Sequence, residues 1–203
     1  LDFPKGRSDR SAFFQSELGQ FLRLCAEQNT DPLSVLGSFA GAMGLPQFMP
    51  SSIRRYAVEF DGDGRIDLRN SEADAIGSVA HYLAQSGWRP GVPTHYTVTP
   101  PSDEAARQKL LAPDILPTFS VQDLQSQGAI LDDAGQRHTA GPLALVLLYN
   151  ATAEPTYVLG TANFYAITRY NQSSYYALAV IELGRALTEA LKAPQKPSDS
   201  AFY

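Results

Sequence analysis

The stretch of residues 37–52 constrains the fold of this chain more than any other segment. It reads Gly-Ser-Phe-Ala-Gly-Ala-Met-Gly-Leu-Pro-Gln-Phe-Met-Pro-Ser-Ser. Three glycines among small residues allow the backbone to approach another helix or a ligand closely. Two prolines then flank Gln47, whose amide can both donate and accept hydrogen bonds. An uncharged stretch with single polar groups suits a groove that reads neutral hydroxyls and amides, but it equally suits a close-packed helix–turn–helix junction.

The composition is that of a globular protein with a net negative charge. The 203 residues are 44% hydrophobic and 18% charged, which is enough to bury a core in one or two domains. Because the net charge is −5, we do not expect a nucleic-acid partner. No run of residues has the length and apolar character of a transmembrane segment. Cys25 is the single cysteine, so an internal disulfide is excluded, and we expect a buried, unreactive thiol.

Hydrophobic periodicity predicts a mainly α-helical chain with a smaller β-containing part. The predicted helices cover residues 11–28, 72–86, 103–111, 120–127 and 174–191, and the predicted strands cover residues 143–149 and 156–159. In the second helix the residues expected to face inward are Ile76, Val79, Ala80 and Leu83. In the last helix the expected apolar face consists of Leu178, Ile181, Leu183 and Leu187. The proline-rich residues 89–101 read as a linker or an extended crossing.

An acidic segment, residues 59–70, nearly fits the calcium loop of an EF-hand. The carboxylates at loop positions 1, 3, 5 and 9 are Glu59, Asp61, Asp63 and Asp67. Gly64 permits the sharp bend at position 6, and Arg65 would offer its backbone carbonyl at position 7. Position 12 is Asn70, which cannot give a bidentate carboxylate, so an acidic turn that binds nothing remains an alternative. If an ion binds, Ca²⁺ is favoured over Mg²⁺, because nearly every ligand would come from a flexible protein loop.

Three segments together carry a resemblance to a known family. The first is residues 37–52, the second is Asp-Ala-Ile-Gly-Ser-Val-Ala-His-Tyr at residues 74–82, and the third is Phe-Tyr-Ala-Ile-Thr-Arg-Tyr-Asn at residues 164–171. In this order they resemble the membrane-bound lytic transglycosylase B family, whose members cleave peptidoglycan. The resemblance spans nearly the whole chain. It implies an α+β fold, with a lysozyme-like α-helical core, an EF-hand-like loop and a small β-containing subdomain.

The same resemblance implies a domain organisation. Residues 1–92 would form part of the lysozyme-like core and contain the cation loop at 59–74. Residues 93–160 would form a small α/β subdomain. Residues 161–192 would return to the core with the C-terminal helix, and residues 193–203 would form a tail.

The resemblance also implies a reaction and the residues that serve it. Family members cleave the β-1,4 bond between MurNAc and GlcNAc, without a cofactor, and leave a 1,6-anhydromuramoyl product. The positions that match substrate-binding residues are Ser38, Gln47, Tyr82, Tyr165 and Tyr170. The family's cation loop ends in a later aspartate, which corresponds to Asp74 and completes the ligand set of a structural Ca²⁺ with Glu59, Asp61, Asp63 and Arg65.

The catalytic glutamate that the family requires has no match in this chain. In the family it lies in a Val-Glu-Thr-type motif upstream of the segment matching residues 1–4, and no such motif occurs here. Glu17 and Glu27 are expected on or near the polar side of the first helix, where they would be poor substitutes. We therefore expect no catalytic residue in this chain, and a partner in the missing N-terminal portion of the same enzyme.

Three functional hypotheses remain open at this point. The first is the glycan-binding part of a peptidoglycan lytic transglycosylase, with peptidoglycan strands as its partner and the periplasm as its location. An upstream anchor could then attach it to the outer membrane. The second is a noncatalytic peptidoglycan-binding module, and the third is a calcium-stabilised helical interaction domain.

Overall fold

A computed structural model describes residues 11–192 of the chain, in two compact units, Leu1–Gln85 and Ser86–Tyr203. The described residues form eight α-helices and one four-stranded antiparallel sheet. The mainly α architecture with a small sheet confirms the expected fold class. The tail expected at residues 193–203 lies outside the described residues.

The first unit is helical. Its elements are α1 at Ser11–Glu27, a 3₁₀ turn at Pro32–Ser34, α2 at Pro50–Tyr56 and α3 at Glu72–Gln85. Helix α1 packs along α2, and α2 along α3. The irregular segments between these helices hold the sequence stretch 37–49 and the acidic loop. The thiol of Cys25 is buried in α1, as expected, and this burial raises its pKa.

The second unit contains the sheet and the remaining helices. They follow in the order β1 at His95–Thr99, α4 at Glu104–Leu111, α5 at Val121–Ser126, β2 at Ile130–Leu131, α6 at Asp133–Gln136, β3 at Ala144–Asn150, β4 at Ala153–Gly160, α7 at Ala162–Tyr170 and α8 at Ser174–Lys192. The strand order is β2-β1-β4-β3, and every neighbouring pair is antiparallel. The core of this unit forms where Leu145 and Leu159 of the sheet meet Leu110 of α4 and Leu124 of α5.

Each helix and strand predicted from periodicity is present, with bounds shifted by a few residues at most. The elements that were not predicted are shorter or unusual in composition, namely α2, α6, α7, β1 and β2. The linker interpretation of residues 89–101 was wrong, because β1 lies within that segment and pairs with both β2 and β4. Prolines flank this strand and do not interrupt it, so they leave the ladder intact.

The inward face predicted for α3 was wrong. Ile76 is 68% exposed, whereas the residues buried in this helix are Asp74, Ala75, Gly77 and Ser78. The ring of Phe60 lies so close to Gly77 that a side-chain carbon there would come within 2.6 Å of it. The Ser78 hydroxyl accepts a hydrogen bond from the backbone N–H of Val58 at 3.0 Å. Helix α3 therefore packs through small and polar residues that allow close approach.

The apolar face predicted for α8 is only partly correct. Ala177 and Ile181 are buried in the second unit, whereas Leu183 and Leu187 are 61% and 55% exposed. The N-terminal half of α8 contacts the sheet, where the Tyr175 hydroxyl accepts a hydrogen bond from the backbone N–H of Tyr149 at 2.7 Å. The exposed leucines belong to the C-terminal half.

Candidate functional site

The segment around residues 37–49 forms a narrow turn on the first unit, not a helix–turn–helix junction. Met43 and Phe48 form an antiparallel bridge. The Met43 N–H donates to the Phe48 carbonyl, with 2.9 Å between N and O, and the Phe48 N–H donates to the Met43 carbonyl at 3.1 Å. Both side chains are buried, so the turn is anchored in the core of its unit. Of the residues between them, Leu45 and Gln47 are exposed.

Gly44 is the position in this turn where glycine is required. Its φ is +69°, and an added Cβ would lie 2.6 Å from the carbonyl oxygen of Leu68. The next residue, Leu45, donates its N–H to that same oxygen at 2.8 Å. The turn is thus fastened to the end of the acidic loop, and a side chain at Gly44 would separate the two segments.

Gln47 lies at the exposed end of the turn in a left-handed conformation, with φ of +52°. Its backbone N–H and its side-chain Nε2 both donate to the Gly44 carbonyl, at 3.1 and 2.9 Å. The side chain is therefore oriented by the turn itself, and its Oε1 accepts no hydrogen bond from the described residues. A left-handed conformation at a residue other than glycine is uncommon and indicates a functional constraint or strain.

Ser38 lies at the start of the same segment and is exposed. Its Oγ accepts a hydrogen bond from the Ala42 N–H at 3.1 Å, while its backbone N–H donates to the Ala42 carbonyl at 2.8 Å. The hydroxyl hydrogen of Ser38 remains available to donate to a ligand.

Ser38 lines a cleft of about 460 Å³ in the first unit. Most of the other lining is apolar and includes Phe14, Leu18, Phe39 and Met49. Pockets that bind small molecules are commonly apolar, with a few polar groups that fix the orientation of the ligand. The cleft is large enough for one sugar residue with its substituents, and Ser38 is one of its polar groups.

Glu17 of α1 also lines this cleft, and the prediction that it lies on the polar side of the helix was wrong. It is 7% exposed, and both carboxylate oxygens are engaged with Ser51 of α2. Oε2 accepts from the Ser51 N–H at 3.0 Å, and Oε1 accepts from the Ser51 hydroxyl at 2.6 Å. The helical spacing of Glu17 from Phe14, Phe21 and Leu24 was the signal that could have placed it on the inner face.

Tyr82 lies in an aromatic cluster of the first unit. Its ring is 4.7 Å from that of Tyr56 in an edge-on arrangement, and 5.6 Å from that of Phe48. Because Phe48 belongs to the bridge of the turn, Tyr82 packs directly behind the segment that carries Gln47.

Tyr165 and Tyr170 belong to α7 in the second unit. The guanidinium of Arg169 lies 4.2 Å from the centre of the Tyr165 ring, within cation–π distance. The Tyr170 ring is stacked on that of Tyr176, at 6.3 Å and nearly parallel. Both tyrosines are half-buried, so each exposes part of its ring.

The acidic loop brings three of the predicted cation ligands together. Carboxylate oxygens of Glu59, Asp61 and Asp74 lie within 4.8 Å of one another. Asp63 lies outside this group, and its Oδ1 accepts from the Arg65 N–H at 2.8 Å. Gly64 has a φ of +79°, as the bend at that position requires. Hard oxygen donors on a loop match the chemistry of Ca²⁺, so the residues present fit that ion.

Hydrogen bonds already hold these carboxylates in place. Asp74 is fully buried and accepts from the backbone N–H groups of Phe60 and Asp67, at 2.7 and 2.8 Å. The Ser71 hydroxyl donates to Asp61 at 2.6 Å, and this bond, with help from the Asp63 N–H, lowers the pKa of Asp61. Ser71 was not predicted, although it follows the loop directly. These hydrogen bonds favour the ionised form of Asp61 and hold the side chains of Asp61 and Asp74 in place.

Comparison with known proteins identifies the family of this chain. A family model described as the transglycosylase SLT domain matches residues 3–185. The chain belongs to this family. Membrane-bound lytic murein transglycosylase B of Escherichia coli strain K12 is 39% identical over 186 residues, which are 89% of this chain and 47% of that protein. The chain thus spans about half the length of this curated relative.

Solved structures agree with this assignment. Lytic transglycosylase SltB1 of Pseudomonas aeruginosa is 43% identical, with a TM-score of 0.78 over 89% of this chain and 58% of that one. Slt35 of Escherichia coli, solved in complex with calcium, is 38% identical, with a TM-score of 0.75 over 89% of this chain and 55% of that one. SltB3 of Pseudomonas aeruginosa, solved in complex with NAG-anhNAM-pentapeptide, is 33% identical, with a TM-score of 0.69 over 91% of this chain and 48% of that one. The fold is therefore that of the lysozyme-like lytic transglycosylases.

Proposed function

We propose that this chain forms the glycan-binding part of a peptidoglycan lytic transglycosylase. The observation that carries the proposal is the largely apolar cleft of about 460 Å³ lined by Ser38, in the same segment as the exposed, turn-oriented amide of Gln47. An N-acetylated sugar combines an apolar methyl group with amide and hydroxyl groups, and this cleft offers contacts of both kinds. The SltB3 complex with a peptidoglycan fragment supports the same class of ligand.

The reaction we assign to the whole enzyme breaks the β-1,4 bond between MurNAc and GlcNAc. A carboxylic acid protonates the leaving oxygen as the C1–O bond breaks, and an oxocarbenium-like centre develops at C1 of MurNAc. The 6-hydroxyl of the same sugar then attacks C1 and returns a proton to the carboxylate, which gives the 1,6-anhydro product. The reaction consumes no water, because the 6-hydroxyl of the sugar is the nucleophile, and it requires no cofactor.

We propose that the acid lies outside these 203 residues, in the N-terminal portion of the same enzyme. Glu17 lines the cleft, but its two oxygens already accept hydrogen bonds from Ser51, whereas a general acid must present a proton to the substrate. Glu59 and Asp74 are engaged in the acidic loop. The role of this chain is then to hold the glycan. Because both oxygens of Glu17 accept hydrogen bonds from Ser51, the chain also fits a second candidate function, that of a noncatalytic peptidoglycan-binding module.

Three tyrosines are further proposed substrate contacts, Tyr82 in the first unit and Tyr165 and Tyr170 in the second. Tyr82 packs behind the turn, and Tyr165 and Tyr170 expose parts of their rings on α7. Aromatic rings provide flat, apolar surfaces for sugar faces, and a tyrosine hydroxyl can orient a carboxylate. Tyr170 is assigned to the second role because it occupies the Arg-Tyr-Asn triplet of the family.

We further propose that Glu59, Asp61, Asp63, Asp74 and the Arg65 carbonyl hold a structural Ca²⁺. The cluster of three carboxylates within 4.8 Å supports this site, as does the calcium complex of Slt35. The ion would neutralise the repulsion between these carboxylates and stabilise the loop. Because peptidoglycan is the proposed partner, the proposed location is the periplasm, with outer-membrane attachment through an upstream anchor as a further possibility. No helix among residues 11–192 meets the length and hydropathy of a membrane span.

Calorimetric titration with chitotetraose and with a purified GlcNAc–anhydroMurNAc muropeptide tests the proposal. We expect binding by the unsubstituted chain and a weakening of about fivefold or more in Gln47→Ala and in Ser38→Ala, since a lost ligand hydrogen bond costs about 1 kcal/mol or more. Gln125→Ala, an exposed glutamine on α5, is the matched control and should bind normally. Failure of the unsubstituted chain to bind either glycan would exclude a glycan-binding function.

A second measurement separates the enzyme from the binding module. The chain alone should release no anhydromuropeptides from intact sacculi. The full-length protein, with any segments that precede these residues in its gene, should release them if the enzyme assignment is correct. Release by the chain alone would show that the acid lies within it.

A further inference from the structure

We infer that Glu17 is a positioning residue that holds the Gln47 turn in its binding conformation, acting through the N-terminus of α2. This inference rests on the proposed role of Gln47 in glycan binding. The two residues are joined by a short path, because Glu17 binds Ser51, and Ser51 follows Gln47 by four residues. Between them lie Phe48, which belongs to the bridge, and Pro50, which begins α2.

Helix α2 lacks a side-chain cap from its own N-cap residue. Its N-cap residue is Met49, which makes no side-chain hydrogen bond to the helix. The first turn of a helix leaves backbone N–H groups without partners, and these are usually satisfied by a nearby Ser, Thr, Asn or Asp. Here the Ser51 N–H is instead satisfied by a carboxylate 34 residues earlier in the chain. A tertiary contact thus replaces the local cap and fixes where α2 begins.

The contact between Glu17 and Ser51 is buried and consists of two hydrogen bonds. Glu17 is 7% exposed, and each of its oxygens accepts one bond from Ser51, at 3.0 and 2.6 Å. Two bonds to one residue fix both the position and the rotation of the start of α2. Leaving the Ser51 N–H and hydroxyl without this acceptor would impose the desolvation cost of two polar groups.

The segment from Phe48 to the start of α2 is short and stiff. Pro50 has a fixed φ, and Phe48 is tied to Met43 by two backbone hydrogen bonds. A displacement at Ser51 therefore reaches the bridge, and through it the left-handed Gln47. Glu17 and Ser38 line the same cleft, so this contact lies beside the proposed sugar site.

Variants of Glu17 test this inference through glycan affinity and through hydrogen exchange. In Glu17→Ala we expect chitotetraose affinity to fall about tenfold, the equivalent of one to two hydrogen bonds, and the Phe48 amide to exchange faster by a similar factor. Glu17→Gln should retain affinity within about threefold, because its amide oxygen can accept from the Ser51 N–H while its amide nitrogen donates to the Ser51 hydroxyl. The double variant Glu17→Ala, Gln47→Ala should bind no more weakly than Gln47→Ala alone, since both act through one group.

Glu27→Ala provides the matched control. Glu27 is another carboxylate of α1 that binds α2, where it pairs with Arg54 at 2.7 Å near the opposite end of the helix. Its loss should lower stability slightly and leave both glycan affinity and Phe48 exchange unchanged. Glu17→Gln keeps the test valid if Glu17→Ala fails to fold.

The outcomes distinguish this inference from the proposed function. Glycan affinity and Phe48 exchange that survive Glu17→Ala would overturn the positioning role alone, as would equal effects from Glu27→Ala. Absence of glycan binding by the unsubstituted chain would overturn the proposed function and the positioning role with it.

Discussion

The side-chain amide of Asn163 in α7 binds both backbone polar groups of Arg89. Its Oδ1 accepts from the Arg89 N–H at 2.7 Å, and its Nδ2 donates to the Arg89 carbonyl at 2.8 Å. The second hydrogen of Nδ2 is donated to the Val92 carbonyl at 2.7 Å. Asn163 is fully buried, so its amide replaces the strand or helix partners that the turn before β1 lacks. The stretch Arg89–Val92 is thereby fixed to the helix that carries Tyr165 and Tyr170.

Asn163→Ala should destabilise the second unit by about 2–4 kcal/mol, because three backbone groups would lose their hydrogen bonds to a fully buried side chain. Urea unfolding followed by circular dichroism measures this change. The control is Asn150→Ala, an exposed asparagine whose Nδ2 donates to the Glu154 carbonyl at 2.8 Å. Water can replace that bond, so we expect a loss of no more than about 1 kcal/mol. Equal losses in the two variants would contradict a special role for Asn163.

Gly44→Ala should lower the stability of the first unit by about 2 kcal/mol or more, since it combines a disfavoured positive φ with a clash at the Leu68 carbonyl. Gly19→Ala is the opposite case, because Gly19 lies within α1 with no atom within 4 Å of the added carbon. That variant should gain about 0.5–1 kcal/mol from helix propensity. Thermal unfolding of both variants measures the contrast, and a stable Gly44→Ala would show that the turn is not fastened as described.

Calcium should raise the melting temperature of the chelator-treated chain, since an ion that binds only the folded state stabilises it by about 2.7 kcal/mol at one hundred times its Kd. Glu59→Gln removes one carboxylate of the cluster and should reduce both this shift and the calorimetric affinity. Glu72→Gln, an exposed acidic residue at the start of α3 outside the cluster, is the control. Titration that gives neither heat nor a shift in the unsubstituted chain would remove the site.

Stability should fall as the pH drops from about 7.5 to 5, because burial lowers the pKa values of His95 and His138. For each group the unfolded chain, with a pKa near 6.5, takes up a proton before the folded chain does. The stabilisation is therefore complete above that pKa and is lost as the pH falls through the lower, folded pKa. His138→Gln, which can still bind the Tyr96 hydroxyl, should flatten the dependence measured by urea unfolding. An unchanged slope would mean that His138 titrates normally.

The sequence predicted those parts of the fold that depend on local pattern. The periodicity of α1, α3 and α8 fixed their positions, because long helices repeat the same apolar spacing over several turns. Strands β3 and β4 were recognisable from their β-branched and aromatic residues. Helix α2 and strand β1 were missed, because a seven-residue helix and a five-residue strand beside prolines carry too little of either pattern.

The candidate site was likewise predictable only in part. The EF-hand spacing predicted Glu59 and Asp61 as cation ligands, and the family resemblance implied Asp74 as a third. The structure brings these three carboxylates together. The exposure of Ile76 could not be predicted, because only tertiary packing decides that α3 presents small residues to the acidic loop.

The amino-acid sequence by itself determined the helical framework, the acidic loop and the family to which the chain belongs. The helices and the loop follow from residues close together in the chain, where spacing governs local geometry, and the family follows from sequence segments in a characteristic order. The tertiary structure decided the contacts between distant segments, such as Glu17 with Ser51 and Asn163 with Arg89. In both cases a buried polar group must find a partner, and which partner it finds depends on how the helices pack.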